Sequence, residues 1–281
     1  MNDNLTIGFI GAGNMAWAMI GALVKSKVLP AGNIVASDID PQRLVQAEKT
    51  FGIATTLDNR EVLASSTTIV LAVKPQILPD MLKSMAAAPG FPGPERKLII
   101  SIAAGVSMDT MESILYAGLD DTAKTRLPIV RVMPNTPAMV GQGMSGMAKN
   151  IHTTEQDSQV AETILNAAGK ALWFEEKDIN GVTALSGSGP AYVFYLAEAM
   201  VKGGVEVGLP EDKALAMAIQ TIKGAAALME ETGEDPALLR QKVTSKGGTT
   251  EAALKVFNEN QVLDAIVKGM VAAKKRGDEL G

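Results

Sequence analysis

The segment that decides the fold is Gly8-Phe9-Ile10-Gly11-Ala12-Gly13-Asn14-Met15-Ala16, close to the start of the 281-residue chain. It follows an apolar run and leads into helical spacing, so it marks the turn from a first strand into a first helix. In the pattern Gly11-x-Gly13-x-x-Ala16, the glycines allow a tight turn and close approach of a ligand, and the alanine lets helix and strand pack closely. The free N–H groups at such a helix start suit a pyrophosphate. The alternative is an ordinary tight turn without a ligand.

Outward from this turn, short apolar runs alternate with helix-like or turn-rich segments. The predicted strands cover residues 5–10, 33–37, 68–73, 97–102 and 129–132, with two weaker ones at 144–149 and 171–174. Such strands, separated by helices, indicate a parallel sheet covered on both faces. The predicted fold class is therefore α/β, with an N-terminal Rossmann-like doubly wound sheet followed by an all-α C-terminal domain.

The character of the chain changes after about residue 178. Apolar positions at helical spacing run through residues 190–207, 210–232, 236–244 and 250–280. Prolines near three of these starts, and Gly208 and Gly233 after two of the ends, fit helix starts and C-caps. We predict a dinucleotide-binding domain at residues 1–177 and a helical domain at residues 178–281. A helical domain this short is expected to pack against a second copy of itself.

Composition excludes several classes of protein. The chain is 47% apolar and 20% charged, which is enough apolar material for a sizeable core. It has no cysteine, so disulfides, thiol catalysis and thiolate zinc sites are excluded, and we expect no metal site. A polar N-terminus and the lack of a long apolar run predict a cytoplasmic protein with no membrane partner. A net charge of −5 with scattered Lys and Arg argues against nucleic acid as a partner.

The second predicted strand ends where a dinucleotide-binding sheet contacts the adenosine ribose. Asp38 could accept a hydrogen bond from a ribose 2′-OH and favour NADH, whereas Ser37 and Arg43 could hold the 2′-phosphate of NADPH. The segment from Asp38 to Pro41 could instead simply cap the next helix. The choice between the two cofactors stays open on the residues alone.

The chain has one histidine, His152, in a polar segment after the predicted sheet. Dehydrogenases that act on alcohols and carbonyls usually need a general acid–base group, and a lone surface histidine is poorly suited to that task. A cyclic imine is less demanding, because its nitrogen is readily protonated and the adjacent carbon is then electrophilic. Positioning such a ring against a nicotinamide supplies much of the catalysis.

Five motifs resemble those of pyrroline-5-carboxylate reductases, in the family's order and spacing. They are Phe9-Ile-Gly-Ala-Gly-Asn-Met15, Ala72-Val-Lys-Pro-Gln76, Arg131-Val-Met-Pro-Asn-Thr-Pro137, Leu185-Ser-Gly-Ser-Gly-Pro-Ala-Tyr192 and Val243-Thr-Ser-Lys-Gly-Gly-Thr-Thr-Glu-Ala-Ala-Leu254. The last is the family's most diagnostic segment, with one departure: Lys246 stands where many relatives have proline. The resemblance implies reduction of 1-pyrroline-5-carboxylate to L-proline, the last step of proline biosynthesis. It also implies a homodimer in which one subunit's helices complete the other's site, with a larger ring left open.

The resemblance further implies cofactor-binding residues that follow successive strands. They are Ile10, Gly11, Ala12, Gly13, Asn14, Met15, Ser37, Asn59, Ala72, Val73, Lys74, Pro75, Ala103, Ala104, Gly105 and Asn135. NADPH is the expected cofactor, with NADH as the alternative. Asn59 could equally be a helix cap, and the prolines around Asn135 could be a purely structural turn.

The predicted substrate site lies in the last motif, where Thr249 and Thr250 follow two glycines. By itself this pattern favours a threonine N-cap, yet the same geometry leaves N–H groups free for a carboxylate. By resemblance, Thr250 donates its hydroxyl to the imine nitrogen and Ser245 shapes the loop; these two are the catalytic candidates. The implied substrate-binding residues are Gly248, Thr249, Thr250 and, near the product, Glu176. Ser186 and Ser188 are implied to fix backbone near the nicotinamide.

Two other functions remain open on the sequence. A β-hydroxyacid dehydrogenase has the same order of sheet and helices but depends on a lysine in its helical domain, for which Lys202, Lys213 or Lys242 could be proposed. A non-catalytic dinucleotide-binding sensor would bind the cofactor without turnover. That interpretation leaves the loop at residues 245–250 without a purpose.

Overall fold

The computed structural model describes residues 5–280, which form two compact units. The first unit contains the chain up to Ser188 and again from Ala273 onward, and the second contains Gly189–Ala272. The domain boundary that the sequence predicts after residue 177 stays a prediction. None of the described helices has an apolar stretch long enough to cross a membrane.

An eight-stranded sheet forms the centre of the first unit. Its strands are β1 Ile7–Ile10, β2 Ile34–Ser37, β3 Ala54–Thr56, β4 Thr68–Leu71, β5 Leu98–Ser101, β6 Ile129–Met133, β7 Gly143–Lys149 and β8 Gly169–Trp173. They lie in the order β3-β2-β1-β4-β5-β6-β7-β8, and all neighbours are parallel except β6 and β7. All seven predicted strands are present. The sequence missed β3, because this three-residue edge strand has no apolar run.

Helices cover both faces of this sheet. They are α1 Asn14–Lys25, α2 Pro41–Phe51, α3 Asn59–Ser65, α4 Leu78–Ala86, α5 Met108–Leu115, α6 Asp121–Thr125, α7 Glu155–Asn166 and α8 Ile179–Val182. Successive residues of a strand point to opposite faces. Accordingly, Val70 belongs to one apolar core cluster, while Ile69 and Leu71 belong to another. The predicted doubly wound α/β class is confirmed.

The strand register brings several loops to one edge of the sheet. Ile10 is level with Ser37 and Leu71, and Leu71 is level with Ser101. The loops that follow β1, β2, β4 and β5 therefore leave the sheet at the same carboxyl edge. Ligands of open α/β sheets bind outside this edge.

The second unit consists of helices and the short segments that join them. Its helices are α9 Gly189–Glu206, α10 Glu211–Thr232, α11 Pro236–Lys242, α12 Thr249–Glu259 and the first part of α13 Val262–Leu280. Gly208 and Gly233 both have left-handed φ values, 92° and 62°, as predicted for C-caps. The prediction of one helix over residues 250–280 is wrong. The chain breaks after α12, where Gln261 takes a left-handed φ of 52° that a continuous helix cannot contain.

Candidate active site

The glycine turn after β1 is closed on one side and open on the other. Gly11 has a φ of 99°, its N–H donates to the Ser37 carbonyl at 2.8 Å, and an added Cβ would lie 2.7 Å from the Ala72 carbonyl oxygen. A Cβ on Gly13 would meet only Arg43 Nη1, at 3.9 Å. Gly13 is also the N-cap of α1, and no described side chain caps this helix start. The N–H groups at the start of α1 can thus bind an anion.

The side chain of Asp38 braces this turn. Its Oδ2 accepts from the Ala12 N–H at 2.7 Å, and its Oδ1 accepts from the Asp40 N–H at 2.9 Å. Asp40 in turn caps α2 by accepting from the Gln42 N–H. The helix-cap interpretation of this segment is therefore correct for Asp40, while Asp38 connects the end of β2 to the glycine turn.

Two of the predicted adenosine-side residues lie in direct contact. The Ser37 hydroxyl donates to Asn59 Oδ1 at 2.7 Å. Asn59 is the first residue of α3, and the N-cap is Asp58, so the helix-cap alternative for Asn59 is wrong. Hydrogen bonds from Arg60 hold the pKa of Asp58 below its ordinary value. That pairing engages Arg60 and leaves Arg43 as the arginine beside the glycine turn.

The loops after β4 and β5 supply the other predicted cofactor residues of this edge. The Ala72 N–H donates to the Ile10 carbonyl at 2.8 Å, which aligns the start of the segment Ala72, Val73, Lys74 and Pro75 with the glycine turn. In the loop after β5, Ser101 Oγ accepts from the Ala103 N–H at 3.5 Å, and Gly105 has a left-handed φ of 73°. The structure therefore brings together the predicted residues from Ile10 to Gly105.

Asn135 is held by hydrogen bonds within the first unit. Its Oδ1 accepts from the Met144 N–H at 2.8 Å, and its Nδ2 donates to the carbonyl and hydroxyl oxygens of Ser186, each at 3.2 Å. Residues 183–187 form a π-helical turn, a feature that is frequent at functional sites. The Ser188 N–H closes this turn on the Thr183 carbonyl at 2.8 Å. Contacts of Asn135, Ser186 and Ser188 with a nicotinamide stay predictions.

Glu176 makes an ionic contact with a buried arginine that the sequence did not reveal. Its Oε1 accepts from Arg131 Nη1 at 2.6 Å and from the Met108 N–H at 3.0 Å. The Arg131 side chain is only 6% exposed. The signal in the sequence was one charged residue within the apolar strand Ile-Val-Arg-Val-Met. The predicted contact of Glu176 with the product stays a prediction.

The predicted substrate loop belongs to the second unit. Gly247 has a left-handed φ of 72°, and the Gly248 N–H donates to the Ser245 carbonyl at 3.0 Å. Gly248 is the N-cap of α12 and Thr249 is the first helical residue, so the interpretation of a threonine as N-cap is wrong. No described side chain caps this helix start either. The N–H groups of its first turn are oriented to bind an anion such as a carboxylate.

His152 lies away from these loops. It follows β7, whose end pairs with the beginning of β6, so it lies at the amino edge of the parallel strands. Its ring packs edge-on against Tyr116, with 5.6 Å between ring centroids. The expectation that this histidine has no catalytic task stays a prediction. The residues that the structure describes contain no cluster of His, Asp and Glu that could hold a metal ion.

Comparison with known proteins identifies the family. Residues 176–280 match the family model for pyrroline-5-carboxylate reductase dimerisation, and residues 6–105 match the model for NADP oxidoreductase, coenzyme F420-dependent. A pyrroline-5-carboxylate reductase of Vibrio alginolyticus is 42% identical over 280 residues, covering 99% of this chain and 98% of the relative. The chain belongs to the pyrroline-5-carboxylate reductase family. The resemblance drawn from the five motifs is confirmed.

Solved structures of pyrroline-5-carboxylate reductases have the same fold over the whole chain. The enzyme of Coxiella burnetii superposes with a TM-score of 0.87 at 34% identity, covering 99% of both chains. A pyrroline carboxylate reductase of Plasmodium falciparum with NADP bound gives a TM-score of 0.85 at 27% identity, again covering 99% of both chains. Of the lysines that a β-hydroxyacid dehydrogenase would require, Lys202 pairs with Glu198 and Lys242 pairs with Glu234. Membership of the reductase family removes the need for either alternative function.

Proposed function

We propose that this protein reduces 1-pyrroline-5-carboxylate to L-proline with NADPH. Family membership carries the proposal, and two anion-binding helix starts support it. The start of α1 follows the glycine turn at the carboxyl edge of the sheet, and the start of α12 follows Gly247 and Gly248 in the second unit. The first suits a pyrophosphate and the second suits the substrate's carboxylate. The reaction is the last step of proline biosynthesis.

The residues of the sheet edge fit a dinucleotide. The space above Gly13 is free up to Arg43, and the close approach of Gly11 to Ala72 admits no side chain. When bound, the cofactor supplies a hydride from C4 of its nicotinamide to C5 of the protonated pyrroline ring. We assign the pyrophosphate to the N–H groups of Gly13, Asn14 and Met15, and the nicotinamide half to the turn at Ala103–Ala104–Gly105.

Contacts at the end of β2 favour NADPH over NADH. Both carboxylate oxygens of Asp38 already accept backbone N–H groups, so this residue has less capacity to hold a ribose hydroxyl. The Ser37 hydroxyl and the Asn59 amide meet at the end of β2, and the Arg43 guanidinium lies beside Gly13 of the glycine turn. A 2′-phosphate is recognised by groups of this kind, above all by a guanidinium. NADH stays the alternative cofactor.

We assign substrate binding to the loop before α12. The N–H groups of Gly248, Thr249 and Thr250 take the carboxylate, and the Thr250 hydroxyl donates to the ring nitrogen and orients it. A Cβ on Gly248 would lie 2.6 Å from Ser245 Oγ, so Ser245 packs against the loop and fixes its shape. Lys246 is exposed and adds a cation close to this helix start. Because an iminium carbon accepts hydride readily, holding the ring in this pose is the main catalytic task.

The second unit also supports a homodimer as the working form. α9, α11, α12 and α13 have no buried residue, although their side chains include many large apolar ones. Among these, Phe194 is 68% exposed and Leu263 is 60% exposed. Extended apolar surfaces of this kind mark protein–protein contacts, and the matched family model is that of a dimerisation domain. Assembly of dimers into a ring is a further proposal that a mass measurement decides.

The decisive experiment is the oxidation of NADPH, and separately of NADH, by the purified protein with racemic pyrroline-5-carboxylate. We expect rapid loss of the absorbance of the reduced cofactor and formation of proline, with NADPH the better cofactor. A panel of hydroxy acids with the oxidised cofactors is the control and should give no turnover. Cofactor binding without any turnover of pyrroline-5-carboxylate would overturn the proposal and favour the sensor.

A further inference from the structure

We propose that Glu176 is a positioning residue for the cofactor, because it fixes the end of the turn at Ala103–Ala104–Gly105. This inference rests on the proposed function in one respect, namely that this turn holds the nicotinamide half. Glu176 then acts through the backbone of α5 and through Arg131, rather than by touching the substrate.

The turn is fixed at its beginning by β5. Ser101, the last residue of that strand, is fully buried, and its Oγ accepts from the Ala103 N–H at 3.5 Å. Beyond this bond the backbone turns through Gly105, whose left-handed φ of 73° is unfavourable for residues with a Cβ. The turn therefore needs a second fixed point after Gly105.

Glu176 provides that second point. α5 begins at Met108, three residues after Gly105, and the N–H of Met108 donates to Glu176 Oε1 at 3.0 Å. The N-cap of this helix, Ser107, accepts from the Thr110 N–H and leaves the Met108 N–H to Glu176. A carboxylate at a helix start also interacts favourably with the helix dipole. The backbone from Ala103 to Met108 is thus held at both ends.

Arg131 holds the carboxylate in place. Its Nη1 donates to the same Oε1 at 2.6 Å, and its side chain is buried within β6, which pairs with β5. A buried arginine requires a partner, because an unpaired charge in the interior is strongly destabilising. The pair connects β6, the segment after β8 and the beginning of α5. Glu176 Oε2 is buried without a hydrogen-bond partner among the described residues. A direct contact of this oxygen with a ligand is therefore one of the outcomes that the test distinguishes.

The sharpest test removes one N–H group. Proline is tolerated at the first position of a helix, and Ser107 already has the extended conformation, φ −75° and ψ 161°, that a residue before proline requires. Met108→Pro deletes the donor and keeps the ion pair. Met108→Ala is the matched control, since it shortens the same buried side chain and keeps the N–H. We expect NADPH binding by Met108→Pro to be weaker than by Met108→Ala by about tenfold, the scale of one hydrogen bond to a charged group.

A second pair of variants tests the side chain itself. Glu176→Gln keeps an acceptor for both donors and should retain most of the NADPH affinity, whereas Glu176→Ala should lose about tenfold or more. Glu175→Ala, at the exposed neighbouring position, should behave as the wild type. NADH binding should weaken by the same factor as NADPH binding, because the two cofactors share the nicotinamide half.

Dissociation constants measured without pyrroline-5-carboxylate separate this inference from the proposed function. Binding of NADPH by the wild-type protein tests the cofactor site alone. Equal affinities in Met108→Pro and Met108→Ala, with both variants folded, would overturn the positioning role. A raised KM for pyrroline-5-carboxylate in Glu176→Ala with unchanged cofactor affinity would overturn it as well, and would show that Glu176 contacts the substrate. If Glu176→Ala fails to fold, the Met108 pair still decides.

Discussion

At the scale of single residues, we expect turnover to depend most directly on Thr250. Its hydroxyl lies at the start of α12. At this point the proposed site has to bind the substrate's carboxylate and contact its ring nitrogen at the same time. We expect Thr250→Ala to lower kcat by about a hundredfold, because a hydroxyl that assists proton transfer or orientation contributes on that scale. Thr250→Ser restores the hydroxyl and should recover most of the activity. The melting temperature and NADPH affinity should not change; full activity in Thr250→Ala would remove this residue from the mechanism.

We also propose, at the scale of single residues, that Arg43 determines the choice between NADPH and NADH. Its guanidinium lies beside Gly13, and its Nε is 3.4 Å from Asp40 Oδ2 in an exposed pair that contributes little to stability. We expect Arg43→Gln to weaken NADPH binding by about tenfold, the effect of losing one charge-assisted contact to a phosphate, and to leave NADH binding unchanged. Arg60→Gln is the control, because Arg60 is bound to Asp58. Equal weakening of both cofactors would instead place Arg43 at the pyrophosphate.

At the scale of secondary-structure elements, an ion pair holds the start of α7. We expect this ion pair to make the stability of the protein sensitive to acid. Asp157 accepts from Arg96 and closes a capping box with Thr154. Burial alone would raise the pKa of Asp157, but hydrogen bonds from Arg96 and Thr154 outweigh it and hold the pKa below its ordinary value. A carboxyl with a lowered folded-state pKa contributes stability above its unfolded pKa, about 3.9, and loses that contribution as the pH falls through the folded value.

Comparison of the wild type with Asp157→Asn measures this contribution. We expect the variant to have a free energy of unfolding lower by about 2 kcal/mol above about pH 5, the scale of hydrogen bonds between charged groups. The difference should shrink as the pH falls below 4. Asp121→Asn, at an exposed ion pair on α6, is the control and should show almost no difference. A difference that is independent of pH would attribute the effect to packing.

The elements themselves were largely predictable from the sequence. Apolar β-branched runs locate five strands, because a strand covered on both faces needs apolar residues throughout. The two weaker strand predictions, at β7 and β8, are confirmed as well. β3 was not predicted, because an edge strand of Ala54, Thr55 and Thr56 has no such run. The helix break at Gln261 was not predicted either, because no glycine or proline marks it in the sequence. Motif residues of the glycine turn were predicted from local geometry. The contact of Glu176 with Arg131 and Met108 joins residues 45 and 68 positions apart, and its only local signal was the one charged residue within the apolar strand β6.

At the scale of the whole molecule, the two units differ in how much of their apolar surface they bury. The first unit buries its large apolar residues in clusters on either side of a sheet. In the second unit, only Ala214 and Ala218 of the long helix α10 are buried. Helices with this much exposed apolar surface are unstable in water without a partner. We infer that the free energy gained at the subunit interface stabilises the helical unit, so its stability depends on protein concentration.

Replacing one apolar residue of α13 by a charged one tests this dependence of stability on protein concentration. Ile266 is 56% exposed in the isolated chain, and we expect Ile266→Glu to bury a carboxylate in the dimer. The wild type should have a mass of at least twice the 29.4 kDa of one chain by light scattering, with a multiple of the dimer if a ring forms. The variant should shift towards 29.4 kDa and melt at a lower temperature. Turnover should fall with it, because the proposed site requires the partner's helices.

Lys268→Glu is the control, since it lies two residues further along α13, about 200° around the helix, and is exposed as well. It introduces the same acidic side chain without placing it where Ile266 is. If both variants keep the wild-type mass and activity, the interface does not include this face of α13. If both dissociate, added negative charge rather than a buried apolar contact governs assembly. Dissociation of Ile266→Glu alone, with activity recovered at high protein concentration, would show that association both stabilises the helical unit and completes the site.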